Sequence, residues 1–111
     1  MSNIHALQQP QPEPLTFDDF WLAYPKRVGK PLARAKWEAI VNGGLTTRTL
    51  DKDSGTYVAI TLEATAQELV DGAKRYAKSQ IDPNTYGLKD GGRFTLHPST
   101  WLNQGRWEDF I

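Results

Sequence analysis

Phe17, Phe20, Trp21 and Tyr24 recur at i, i+3, i+4 and i+7, and this aromatic ridge constrains the chain more than any other feature. On a helix the four rings share one side, and rings of this size must be covered by other elements. The ends of that helix are marked as well. Thr16 is an N-cap residue, with Asp19 three positions on to complete a capping-box-like pair. Leu15 and Phe20 occupy the positions of a hydrophobic staple, and Asp18 and Asp19 suit the positive end of the helix dipole. Pro25 disfavours helical geometry at Tyr24, so the helix stops there.

Covering the ridge takes further helices. Gly29 and Pro31 punctuate a short basic turn, and Pro31 suits a first helical turn. Ala33, Trp37, Ile40 and Val41 then trace a helical stripe, closed by Asn42, Gly43 and Gly44. A third stripe runs through Leu62, Ala66, Leu69, Val70, Ala73, Tyr76 and Ala77, with Thr61 as its candidate cap and Asp82–Pro83 as its end. Between the second and third helices the character changes. Thr46, Thr47, Thr49, Tyr57, Val58 and Ile60 favour strands, and residues 51–55 are rich in turn formers. A small β-hairpin or an ordered excursion over about 45–60 fits, and a hairpin there would need to lie on the helices, because a lone one is marginal in water.

After a glycine-rich loop over 84–93, the tail is too aromatic for a free end. Pro98, Ser99 and Thr100 start a short helix carrying Trp101 and Leu102, and Gly105 redirects the chain toward Trp107 and Phe110. The expected fold class is mainly α: a three-helix bundle, the hairpin, and a C-terminal short helix folded back as a lid, with Trp101 plugging a gap. Residues 1–14, with Pro10, Pro12 and Pro14 among glutamines, read as a disordered leader or linker, and residues 15–111 as a single helical domain. At 111 residues one domain is expected.

Composition excludes several classes. There is no cysteine, so disulfides and thiolate metal sites are ruled out, and two histidines far apart do not suggest a metal site. No apolar run approaches the roughly 20 residues of a membrane span. The first residues lack the pattern of a secretory signal, which leaves the cytoplasm as the expected compartment. No Walker loop, dinucleotide fingerprint or G-x-S-x-G elbow is present, and His97 has no identifiable partner. The expectation is therefore a non-enzyme with no catalytic residues, no cofactor, no metal and no small-molecule substrate.

Formal net charge is zero, yet Lys26, Arg27, Lys30, Arg34 and Lys36 fall within eleven residues that hold no acid. Lysines and arginines in a turn leading into a helix start can meet phosphates together with free backbone N–H groups. Lys74, Arg75 and Lys78 extend that patch if the third helix turns them to the same side. The bland alternative is a solvated basic turn whose lysine stems cover apolar surface. Phe17, Phe20, Trp21, Trp37, Tyr76, Trp101 and Trp107 read mainly as core.

Three pieces together resemble a recurrent module. They are the segment Phe17 to Lys30, with its F-x-x-F-W-x-x-Y-P-x-x-x-G-K pattern, the Ala35-Lys-Trp37 that follows, and the H-P-S-T-W-L-N-x-x-R-W-E-D run from His97 to Asp109. Phe17, Phe20, Trp21, Tyr24, Trp37, Pro98, Trp101, Asn103 and Trp107 carry this pattern. It is similar to the C-terminal domain of phage and prophage replication proteins, among them replisome organisers and helicase-loader-like proteins. That resemblance implies a part in DNA replication inside a bacterial host cell, through duplex or single-stranded DNA, through a host replicative helicase or initiator, or both. The upstream winged-helix domain that commonly precedes that module is not expected here, and residues 45–60 are expected to be additional. A protein-only adaptor or inhibitor of a host enzyme is the competing expectation.

Overall fold

A computed structural model describes residues 14–111. The leader expected over 1–14 lies outside them except for its last residue. The elements, in order, are α1 (Phe17–Ala23), α2 (Lys30–Val41), β1 (Leu45–Asp51), β2 (Thr56–Leu62), α3 (Ala66–Gln80) and α4 (Pro98–Asn103), with short 3-10 turns at Lys89–Gly92 and Arg106–Glu108. The mainly α three-helix bundle is therefore corrected. Among the described residues, four helices and an antiparallel hairpin make a mixed α/β fold, in which the hairpin is an element in its own right.

Local chemistry accounts for most boundaries. At the start of α1 the Thr16 N–H donates to Asp19 Oδ2 at 2.7 Å, and Tyr24, before Pro25, is already extended. α3 begins later than its apolar stripe suggests. Thr65, and not Thr61, caps it: Thr65 Oγ1 accepts from Glu68 N–H at 3.1 Å while Glu68 Oε1 accepts from Thr65 N–H at 3.0 Å. This reciprocal pair satisfies two donors that a helix start leaves orphaned, whereas Thr61 and Leu62 are drawn into the ladder of β2.

The core is an aromatic cluster assembled from distant parts of the chain. Trp101 is fully buried, with ring centroids 5.8 Å from Phe20, 5.6 Å from Tyr24, 6.2 Å from Tyr76 and 6.2 Å from Trp107. These separations fall in the range where aromatic pairs gain energy beyond area burial. Phe17 stands edge-on to Trp37 at 6.0 Å and joins α2 to the cluster. Pro98, at the first turn of α4, is also buried. Trp21 is only half-buried, stacked on Phe17 at 5.7 Å. Gly105, at φ 66°, occupies the left-handed region that glycine enters without steric cost, and there the chain turns Trp107 back onto α3.

The hairpin pairs Leu45 with Leu62 through to Asp51 with Thr56. Only its root, Leu45 and Leu62, packs against the core. Beyond that root it does not lie on the helices: every residue from Thr56 to Thr61 is exposed, and Tyr57 is 70% exposed.

Candidate interaction surfaces

The five cations of the basic segment do not form one corner. Lys26 Nζ donates to the carbonyls of Gly92 at 2.8 Å and Thr95 at 3.3 Å, tying the turn after α1 to the loop before α4. Arg27 Nε donates to the Trp21 carbonyl at 2.9 Å and Nη2 to that of Leu22, closing the last turn of α1, whose terminal carbonyls lack helical partners. Lys36 Nζ donates to Asn103 Oδ1 at 3.1 Å and links α2 to α4. Asn103 thus has a structural role that its motif position alone did not specify.

Lys30 and Arg34 remain. They are four residues apart and share one side of α2, whereas Lys36 lies two residues further on and faces elsewhere. Both lie near Asp18 Oδ1, at 3.9 Å and 3.7 Å. Their charged heads sit over rings, with Lys30 Nζ 5.8 Å from the Trp21 centroid and the Arg34 guanidinium carbon 4.8 Å from that of Phe17. On α3, Arg75 Nη2 donates to the Trp107 carbonyl at 2.6 Å and seats the tail, while Lys74 and Lys78 are exposed. The patch is therefore divided. Lys26, Arg27, Lys36 and Arg75 hold the fold together, and Lys30, Arg34, Lys74 and Lys78 present charge.

Two tyrosines meet at one backbone unit. The Tyr24 hydroxyl donates to the Leu96 carbonyl at 2.7 Å, and the Leu96 N–H donates to Tyr76 Oη at 2.8 Å. Burial pushes the Tyr24 phenol far above its ordinary range, Tyr76 adds to the rise, and Arg106 opposes it. Tyr24 is thus a permanent donor in this fold. Buried without a partner among the described residues are Trp37 Nε1, Trp101 Nε1 and Arg75 Nε.

A groove of about 350 Å³ lies between the end of α1 and the loop after α3, with Leu22, Arg27, Ala77, Ile81, Tyr86 and Leu88 among its lining residues. The loop is closed by a bridge between Ile81 and Leu88. Asp82 organises it: its N–H donates to the Gly87 carbonyl at 2.8 Å, its carbonyl accepts from Tyr86 N–H at 2.8 Å, and its Oδ1 accepts from Asn84 N–H at 2.8 Å. Tyr86 is held at φ 60°, costly for a bulky residue, and the residue is 83% exposed at the groove. Leu22 beside it is 67% exposed. None of these groove residues except Arg27 was a candidate from the sequence. Asp82-Pro-Asn signals a turn but not the left-handed residue two places beyond it.

Among the described residues no group of three or more His, Asp or Glu is placed to hold a metal ion, and no helix is long and apolar enough to cross a membrane. Four helices and a projecting hairpin on an aromatic core define a small mixed α/β domain. The chain belongs to the family described as the Legionella vir region protein LvrA C-terminal domain, which matches residues 12–105. That match corrects the resemblance to phage replication proteins, because both ends of the pattern that carried it fall largely within the matched residues. No curated protein and no solved structure matches the chain.

Proposed function

We propose that the domain is a non-catalytic protein-binding adaptor that grips an apolar segment of a partner in the groove beside Tyr86. The observation that carries this reading is Tyr86 itself. A left-handed bulky residue is costly, and such outliers persist where the surrounding structure enforces them, commonly at binding sites. Here the strain holds an aromatic ring outward beside the exposed Leu22, in the manner of an interface anchor. The Arg27 guanidinium, pinned to two carbonyls, gives the groove a rigid wall.

DNA binding has less geometric support, since Lys26, Arg27 and Lys36 are turned to internal acceptors. Phosphate contacts by Lys30 and Arg34 alone imply a salt slope of only about −1.8. The test compares affinity capture from a cell lysate by wild type, Tyr86→Ala, and the double variant Lys30→Glu/Arg34→Glu. Proteins captured by wild type should be lost with Tyr86→Ala and kept by the charge-reversed protein. Loss only in the charge-reversed protein, together with filter retention of DNA by wild type, would overturn the proposal.

A further inference from the structure

β2 reads Thr56-Tyr-Val-Ala-Ile-Thr-Leu62 and contains no charged residue, no proline and no glycine. In a two-stranded ribbon both strands are edges, each with a row of outward N–H and C=O groups. Proteins blunt such edges with charges, prolines or bulges. β1 is blunted in this way, with Arg48 and Asp51 in the strand and Lys52 and Asp53 just beyond it. β2 carries none of these devices within the strand, with Glu63 only beyond its last residue, although its residues are exposed as far as Thr61. A lone hairpin is marginal in water, and independent stability needs three or more strands with an apolar face or packing against a helix, which here only the root at Leu45 and Leu62 finds.

We propose that β2 pairs antiparallel with β2 of a second copy of this chain, forming a four-stranded sheet around a two-fold axis at Ala59. That register places Val58 opposite Ile60, and Tyr57 opposite Thr61, in both halves. Ala59 meets its own copy at the axis, where a small side chain lets the backbones approach. Across the hairpin Thr49 pairs with Val58 and Thr47 with Ile60. One face of the combined sheet therefore gathers Thr47, Thr49, Val58 and Ile60 from each copy into a β-branched surface. The absence of charge favours self-pairing. Discrimination among foreign partners leans on charge complementarity, and β2 offers none, whereas an isologous pair requires only that identical strands not repel. This surface is separate from the groove at Tyr86, so each proposal can fail without the other.

The purified protein is tested by sedimentation equilibrium over a wide concentration range, alongside Ala59→Lys, which sets like charges opposite each other at the axis. Circular dichroism and melting check that this variant stays folded. Wild type should show a monomer–dimer equilibrium, Tyr86→Ala should dimerise equally well, and Ala59→Lys should remain monomeric. Because the chain has no cysteine, Ala59→Cys should oxidise to a linked dimer. Arg48→Cys, which sits opposite Ala59 on β1, should not, since three strand spacings separate its copies by about 14 Å. Monomeric wild type at every concentration, undiminished dimerisation of Ala59→Lys, or cross-linking through Arg48→Cys in place of Ala59→Cys would overturn the proposal. Monomeric wild type combined with a lysate partner lost in Ala59→Lys would assign the edge to a foreign strand.

Discussion

Replacing Gly72 with alanine sets helix propensity against packing. Alanine is favoured over glycine in a helix interior by about 1 kcal/mol, and Gly72 lies inside α3. Against that, a Cβ at Gly72 falls 2.7 Å from Trp107 Cβ and 2.8 Å from both the Cα and the carbonyl oxygen of Trp107. Two of those atoms are backbone and cannot rotate away, so the Trp107 turn must lift from α3 or the helix must bend. Lifting also strains the bond from Arg75 to the Trp107 carbonyl. Overpacking costs roughly 1–3 kcal/mol, and three such close approaches put this site at the upper end. After the propensity gain, the net loss is about 2 kcal/mol. In a domain of this size that is a fall in Tm of roughly 8–16 °C. Thermal unfolding followed by far-UV circular dichroism measures it, and tryptophan fluorescence should redden as Trp107 loosens. A Tm at or above that of wild type would refute the reasoning, because propensity would then have prevailed and Trp107 would not be seated against Gly72.

Trp101→Ala should lose about 3–5 kcal/mol and unfold early, whereas Trp101→Phe, which keeps a ring and deletes the unpartnered Nε1–H, should lose much less; equal melting of all three proteins would show that Trp101 is not the centre of the core. The folded state holds the Tyr24 proton more tightly than the unfolded chain does. Stability from this group is therefore complete below the ordinary tyrosine pKa of about 10 and declines as pH rises beyond it. Urea titrations across that range should show the decline, and Tyr24→Phe should flatten it while lowering stability at neutral pH through loss of the Leu96 bond. Tyr86→Gly should raise stability by about 1 kcal/mol by relieving the left-handed backbone, while abolishing partner capture; a destabilised variant would show that the Tyr86 ring supports the fold.

The parts that sequence made legible are those decided by near neighbours. The limits of α1 follow from Thr16, Asp19 and Pro25, all within one turn of the residues they affect. The start of α3 was misread because Thr61 and Thr65 both suit a cap, and only strand pairing removes Thr61 from contention. The stance of the hairpin was illegible for a different reason. A lone hairpin is marginal in water, so one lying on the helices was expected, yet every residue from Thr56 to Thr61 is exposed. The basic segment misled most. Whether Lys26 faces solvent depends on carbonyls at Gly92 and Thr95, and whether Lys36 does depends on Asn103, all more than sixty positions away. Tyr86 was missed because nothing adjacent to it in sequence demands a left-handed backbone.

The two phenols that close on Leu96 have a consequence for synthesis. α1 and α3 carry their own caps and can begin to wind as they leave the ribosome, yet neither Tyr24 nor Tyr76 finds its partner until Leu96 has emerged. Trp101 and Trp107 follow later still. Throughout that interval Phe20, Tyr24 and Tyr76 lack the Trp101 ring they pack against, so the cluster is left partly uncovered, which is the condition in which nascent chains aggregate or recruit chaperones. Translation arrested before Pro98 therefore yields a sticky fragment destined for proteolysis, and not a smaller working domain.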